Sequence, residues 1–206
     1  MTAPGPNGRL MKICLSKTEA HNMPIKRKPE PNSDGSWPVT ITYLKMTNKP
    51  KPQTIPAPAI PHAIQRAENP TVSFYRFLYD AVGRDWGWMD RKLMSDEELE
   101  EVIKHKDTEI YVLYIRGVPA GYAELNFRKF PAEVDLAYFG IMPEFIGMKL
   151  GPYFLDWAIK QAWLRDPDCI TVNTCTLDHP KALPLYQRFG YAPYKQKELS
   201  IAPIRD

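Results

Sequence analysis

Tyr138–Ile159, YFGIMPEFIGMKLGPYFLDWAI, is the stretch that decides how this chain is read. An apolar run halts at Pro143, and a short loop follows that carries Gly147 and Gly151. The loop passes directly into an aromatic-rich helical pattern, expected over residues 151–165. A helix N-terminus has four amides without intrahelical partners, and the helix dipole adds partial positive charge there. Glycine lets a phosphate approach the backbone closely, and Lys149 adds a full charge beside the same amides. Pro152 has no N–H, so the donors are expected mainly from Gly147 to Gly151. Two readings stand open: an anion site, or a strand-to-helix turn whose glycines serve geometry alone.

Upstream of the loop, "EIYVLYIRGVPAGYAELNFR" reads as two strands around a Gly-Val-Pro-Ala-Gly turn, and "AEVDLAYFGI" as a third. Downstream, "CITVNTCTL" is a strand, "HPKALPLYQRFGY" a short helix closed by Gly190, and "YKQKELSI" a last strand. Two helices come earlier. "NPTVSFYRFLYDAV" is expected to be capped by Asn69 with Pro70 in its first turn, and "SDEELEEVIKH" by Ser95 ahead of an acidic first turn. Before them, Val39–Met46 alternates β-branched and aromatic residues as a first strand does. The element order is strand, helix, helix, three strands, helix, strand, helix, strand.

Of the 21 prolines, twelve fall within residues 1–70. Residues 1–38 lack periodicity and read as a flexible tail, whereas 47–69 reads as an extended, polyproline-like connector inside a single domain spanning 39–206. At 206 residues and 44% hydrophobic, the chain has enough apolar residues for one good core. A net charge of +3, from 27 basic and 24 acidic residues, is too balanced for a nucleic-acid binder. Three cysteines without C-x-x-C spacing suit a reducing compartment, and Cys169 and Cys175 read as buried thiols. No signal peptide or membrane-length run is found, so a cytoplasmic protein free of membranes is expected. The histidines are scattered and no metal site is expected.

The loop resembles the acetyl-CoA-binding motif of the GCN5-related N-acetyltransferase (GNAT) family, a strand, a proline corner, then Arg/Gln-x-x-Gly-x-Gly/Ala. "IMPEFIGMKLG" supplies Ile141, Pro143, Gly147 and Gly151. It departs at Ile146, where the family usually has Arg or Gln, and at Lys149, the place of the middle glycine. A second segment, "HPKALPLYQRFGY", is similar to the family's Asn-x-x-Ala-x-x-x-Tyr-x-x-x-Gly-Phe, with Ala182, Tyr186, Gly190 and Tyr191 in register and His179 in place of Asn. The likeness covers roughly residues 70–200.

The resemblance implies an α+β fold of three αβα layers, with a mixed, mostly antiparallel sheet of about six to seven strands flanked by about four helices. It implies acetyl-CoA as cosubstrate, held by Phe139, Gly140, Ile141 and Met142 along the strand and by Ile146, Gly147, Met148, Lys149, Leu150 and Gly151 in the loop. His179 and Ala182 complete that set, with His179 equally open to reading as a cap or turn residue before Pro180. It also implies direct transfer to an amine, with Tyr186 as general acid to the departing thiolate; the alternative is a core tyrosine. Asp135 is the first candidate for the base, on the expectation that strand alternation puts it on one face with Ala137 and Phe139. Glu124 and Glu133 compete with it, and each is open to reading as an ordinary surface or ion-paired carboxylate. Trp86 and Trp88 are candidate walls of an acceptor site, or else core plugs. A small-molecule primary amine is the expected acceptor and a monomer or homodimer the expected assembly. A non-catalytic acyl-CoA-binding module of the same fold is the alternative.

Overall fold

The computed structural model describes residues 30–51 and 55–201. In chain order the elements are β1 (Trp37–Met46), β2 (His62–Arg66), α1 (Val72–Gly83), α2 (Asp96–Ile103), β3 (Thr108–Ile115), β4 (Val118–Asn126), β5 (Val134–Ile141), α3 (Leu150–Trp163), β6 (Ile170–Cys175), α4 (Ala182–Arg188) and β7 (Ala192–Ile201). Single 3-10 turns at Arg84–Trp86 and Pro143–Phe145 lead out of α1 and β5.

The strands form one seven-stranded sheet in the order β2-β3-β4-β5-β6-β1-β7. Each neighbouring pair is antiparallel except β5 with β6. On one face Tyr75, Leu78 and Tyr79 of α1 and Leu99 of α2 pack on Ile110, Val112 and Tyr122. On the other, Phe154 and Leu155 of α3 and Tyr186 of α4 share a core with Leu113, Leu125 and Leu136. This is the expected three-layer arrangement with its mixed, mostly antiparallel sheet.

Local chemistry explains where the elements begin. Ser95 caps α2 as expected, accepting from the Glu98 amide while the Glu98 side chain returns the bond. α1 starts later than expected. Thr71, not Asn69, is its cap, accepting from the Phe74 amide at 3.2 Å. β2 lies inside the stretch read as a connector. It is five residues long and mostly exposed at the sheet's edge, so it has neither the length nor the apolar alternation that marks a strand in sequence.

β1 forms where the alternation puts it, but its neighbours come from the other end of the chain. It lies between β6 and β7, pairing Ile41 with Cys175 on one side and with Lys197 on the other. The expected tail of residues 1–38 lies mostly outside the described residues, and β1 begins within its last two positions. Among the described residues no helix is long and apolar enough to cross a membrane.

Candidate active site

Among the described residues one pair of strands is parallel, and its pairing is incomplete. β5 and β6 pair at Val134–Ile170, Asp135–Thr171 and Leu136–Val172, then part, although β5 runs on to Ile141 and β6 to Cys175. The register between β4 and β5 shifts at the same place, from Leu125–Leu136 to Glu124–Tyr138, so Ala137 is bulged out. The bulge turns the rest of β5 away from β6, and a wedge opens between residues 137–141 and 173–175.

That bulge overturns the expected alternation. Leu136 and Phe139 both join the core on the α3 face, while Tyr138 packs on the α1 face. Asp135, one step from Leu136, therefore does not share a face with Phe139. It sits at the closed end of the wedge on the α1 side, accepting from Thr171 Oγ1 at 2.9 Å. Burial raises its carboxyl to about 6 against the lowering effect of the threonine hydroxyl. A carboxyl raised on folding holds its proton more tightly in the native state, so stability falls as pH climbs from about 4 through 6. Asp135→Asn is expected to gain on the wild type by up to about 3 kcal/mol between pH 4 and pH 7 in urea unfolding. A difference that stays constant with pH would refute the shift.

The wedge points at the loop between Pro143 and α3. Ile146 and Met148 donate to the Pro143 and Phe145 carbonyls, and no side chain caps the first turn of α3. Gly147 has φ +94, which glycine alone adopts freely, and a Cβ there would meet nothing within 4 Å. Lys149 sits in the left-handed region at φ 59, a conformation that costs a non-glycine residue about 1 kcal/mol. The loop thus keeps its turn without the family's middle glycine. Ile146 and Met148 stand nearly half exposed beside it, at 46% and 45%. Leu150 is buried in the core, and a Cβ added at Gly151 would reach Leu185 at 3.9 Å.

Along β5, Gly121 to Ala123 of β4 occupy one edge of Phe139–Ile141, leaving the edge toward β6 open. Two of the residues expected to hold the cofactor do other work. The Met142 amide donates to Ala120 at 2.9 Å and its side chain is buried under α1. Gly140 makes room for α1, since a Cβ there would fall 2.2 Å from Val82 Cγ1.

Tyr186 projects from α4 to the wedge's α3 face, its ring edge-on to Phe139 at 6.4 Å and to Tyr191 at 5.9 Å. Burial, with the Asp178 charge nearby, drives its phenol well above the ordinary tyrosine value and keeps it protonated. His179 lies in the turn before Ala182 and α4; its Nδ1 accepts from the Lys181 amide, and burial lowers its pKa. Its ring meets Trp86 at 5.1 Å. Glu124 is fully buried, and both its oxygens are engaged, by the Tyr75 hydroxyl at 2.5 Å and by Arg91 at 2.8 Å.

Asp178 adds a residue that no sequence motif marks. Asp178 accepts from Thr174 Oγ1 and the Cys175 amide, each at 2.8 Å, and from Trp88 Nε1 at 3.2 Å. It closes the end of β6 and ties the loop after α1 to it. The sequence signal was a lone Asp before His-Pro at a strand end, the ordinary mark of a turn. Among the described residues no cluster of three metal-ligating side chains occurs.

No curated protein matches the chain. Among solved structures it is similar to a functionally unknown conserved protein from Staphylococcus epidermidis, at 16% identity and TM-score 0.57, covering 82% of this chain and 63% of that one. A GCN5-related N-acetyltransferase from Sphaerobacter thermophilus gives 16% and 0.55, over 83% and 55%. An aminoglycoside acetyltransferase from an uncultured soil metagenomic sample gives 10% and 0.51, over 62% and 86%. The chain therefore spans less than two thirds of the first and second of these, and the likeness is one of fold. The family model for GNAT acetyltransferases matches residues 75–191, from the fourth residue of α1 to the tyrosine after α4. That match takes in the wedge, the loop and Tyr186, and with more than half of its length inside it the chain belongs to the GNAT acetyltransferase family.

Proposed function

We propose that this protein moves the acetyl group of acetyl-CoA directly to the primary amine of a small molecule. The observation that carries the reading is the wedge: β5 and β6 part at Leu136–Val172 in front of a helix whose first turn lacks a side-chain cap. Pantetheine lies along the open edge of Phe139–Ile141 as an added strand. The diphosphate rests on the amides of Gly147, Lys149, Leu150 and Gly151, with the Lys149 ammonium beside them, since the Met148 amide is spent on Phe145. A main-chain N–H near Ile141 polarises the thioester carbonyl as charge gathers on its oxygen.

The amine nitrogen attacks the carbonyl carbon, the C–S bond breaks, and the departing sulfur takes the phenolic proton of Tyr186. A phenol held above its ordinary pKa is always in the donating form near neutrality. The nitrogen sheds its proton toward Asp135, whose value of about 6 suits a base at physiological pH and which lies on the α1 side, where Trp86 and Trp88 line the acceptor's approach. A binding module without turnover draws its support from Ile146 and Lys149, but the left-handed turn kept at Lys149 weakens that case.

Calorimetry with acetyl-CoA and thiol release against a panel of amines and lysine peptides test the reading together. Binding, turnover on amines, and a loss of about tenfold or more in turnover for Tyr186→Phe at unchanged acetyl-CoA affinity are expected. No binding at millimolar coenzyme would end the proposal. Turnover confined to lysine peptides would reassign the acceptor, and an unimpaired Tyr186→Phe would remove the phenol from the mechanism.

A further inference from the structure

We propose that Trp88 is a rigid stop at the inner end of the acyl channel, held in place by Asp178, and that it restricts the donor thioester to short acyl groups such as acetyl. The inference rests on the acetyl-transfer reading above.

The indole spans the wedge on its α1 face. At one end it packs on Tyr138 at 5.2 Å and lies over Gly140, both on the unpaired half of β5. At the other its Nε1 donates to Asp178, which is itself fixed to Thr174 and Cys175 where β6 has parted from β5. The surrounding chain is cut away to receive it. A Cβ on Gly83 would come within 2.4 Å of the indole Cδ2 and Cε3, whereas one on Gly140 would sit at ordinary contact distance, 3.9 Å, from its far edge. Tyr79 closes behind it at 5.4 Å. An indole gripped from these directions has no slack in which to retreat.

The opposite face of the wedge is sealed too. Phe139 stands between Phe154, at 5.5 Å, and Tyr186, at 6.4 Å. A thioester whose sulfur is served by Tyr186 must turn its acyl carbons the other way, toward the indole. The methyl of an acetyl group stops short of it. Each further methylene presses on a ring that is backed by Tyr79 and Gly83, and forcing extra carbon into such a packed site is costly.

The test needs no knowledge of the acceptor. Calorimetric affinities of the full chain for CoA, acetyl-CoA, butyryl-CoA and hexanoyl-CoA are compared in wild type, Trp88→Leu and Asp178→Asn. The wild type is expected to bind hexanoyl-CoA about tenfold or more weaker than acetyl-CoA. Trp88→Leu is expected to shrink that gap to about threefold or less at unchanged affinity for CoA itself, with Asp178→Asn between the two. A purely structural tryptophan would lower the melting temperature but leave the ranking of chain lengths alone. If Trp88→Leu fails to melt cooperatively, Asp178→Asn decides, since it loosens the indole without removing it. A wild type that binds CoA but ranks the four ligands flat, or a folded variant that keeps the wild-type gap, overturns the stop alone. A wild type that binds neither CoA nor any ester overturns the acetyl-transfer reading along with it.

Discussion

Arg91→Leu is expected to lower the unfolding free energy by about 3–5 kcal/mol, because it strands a buried charge. Glu124 sits in mid-strand on β4 with no solvent exposure, and Arg91 reaches in from the loop after α1 to within 2.8 Å of its carboxylate. The guanidinium also lies 5.2 Å from the centre of the Tyr138 ring. Burial alone would lower the arginine pKa, yet the facing carboxylate raises it, so the two charges hold each other ionised. With the cation gone, the carboxylate keeps only the Tyr75 hydroxyl, too little to replace its hydration. Glu124→Gln removes the charge and retains a carbonyl oxygen for the same hydroxyl. Combined with Arg91→Leu it should therefore recover much of the loss. Urea unfolding of the wild type, the two single variants and the double variant measures this as a coupling energy. A loss below about 1 kcal/mol for Arg91→Leu would mean that water already reaches the pair.

The same cycle bears on catalysis. A general base needs a free lone pair facing the substrate, and Glu124 has both oxygens engaged away from solvent. Glu124→Gln is accordingly expected to change stability more than turnover, whereas Asp135→Asn is expected to lower turnover at neutral pH, where it gains stability. Arg91 gives the pair a second use, anchoring the stretch that carries Trp88 to the sheet.

What could be read from sequence was local. Gly147, the proline corner and the aromatic helix after them mark the loop because backbone conformation and capping depend on a few adjacent residues. Ser95 and Glu98 declare the start of α2 for the same reason. The bulge at Ala137 could not be read, since VDLAYFGI offers both Leu136 and Phe139 to one face and nothing adjacent says which spacing wins. Unbroken alternation therefore puts Asp135 on the wrong face. Asp178 and Trp88 are 90 residues apart, and their hydrogen bond exists only because two loops meet over the wedge. The neighbours of β1 were hidden in the same way: alternation announces a strand but never its partners.

Those neighbours lead to the second large expected effect: a chain lacking residues 1–46 should not fold. Among the described residues β1 is the only sheet partner of β7, and it is the outer partner of β6, so its removal unpairs one strand and exposes an edge of another. Val39, Leu44 and Met46 leave the core with it, and Trp163 loses the Met46 sulfur that its Nε1 meets at 3.4 Å. Losing one large buried side chain costs about 2–5 kcal/mol, and a whole domain has about 5–15 kcal/mol in hand. Circular dichroism and thermal unfolding of the 1–46 deletion, beside a deletion of residues 1–29 alone, measure the difference. The shorter deletion is expected to melt cooperatively and the longer one to show no transition. β1 lies outside the family match at residues 75–191, yet it braces β6, the far wall of the wedge. If a synthetic peptide of residues 37–46 restores the transition of the longer deletion, the strand acts through pairing alone. If the 1–46 deletion melts within a few degrees of the full chain, β7 and β6 have another way to close the sheet, and β1 is dispensable to the site.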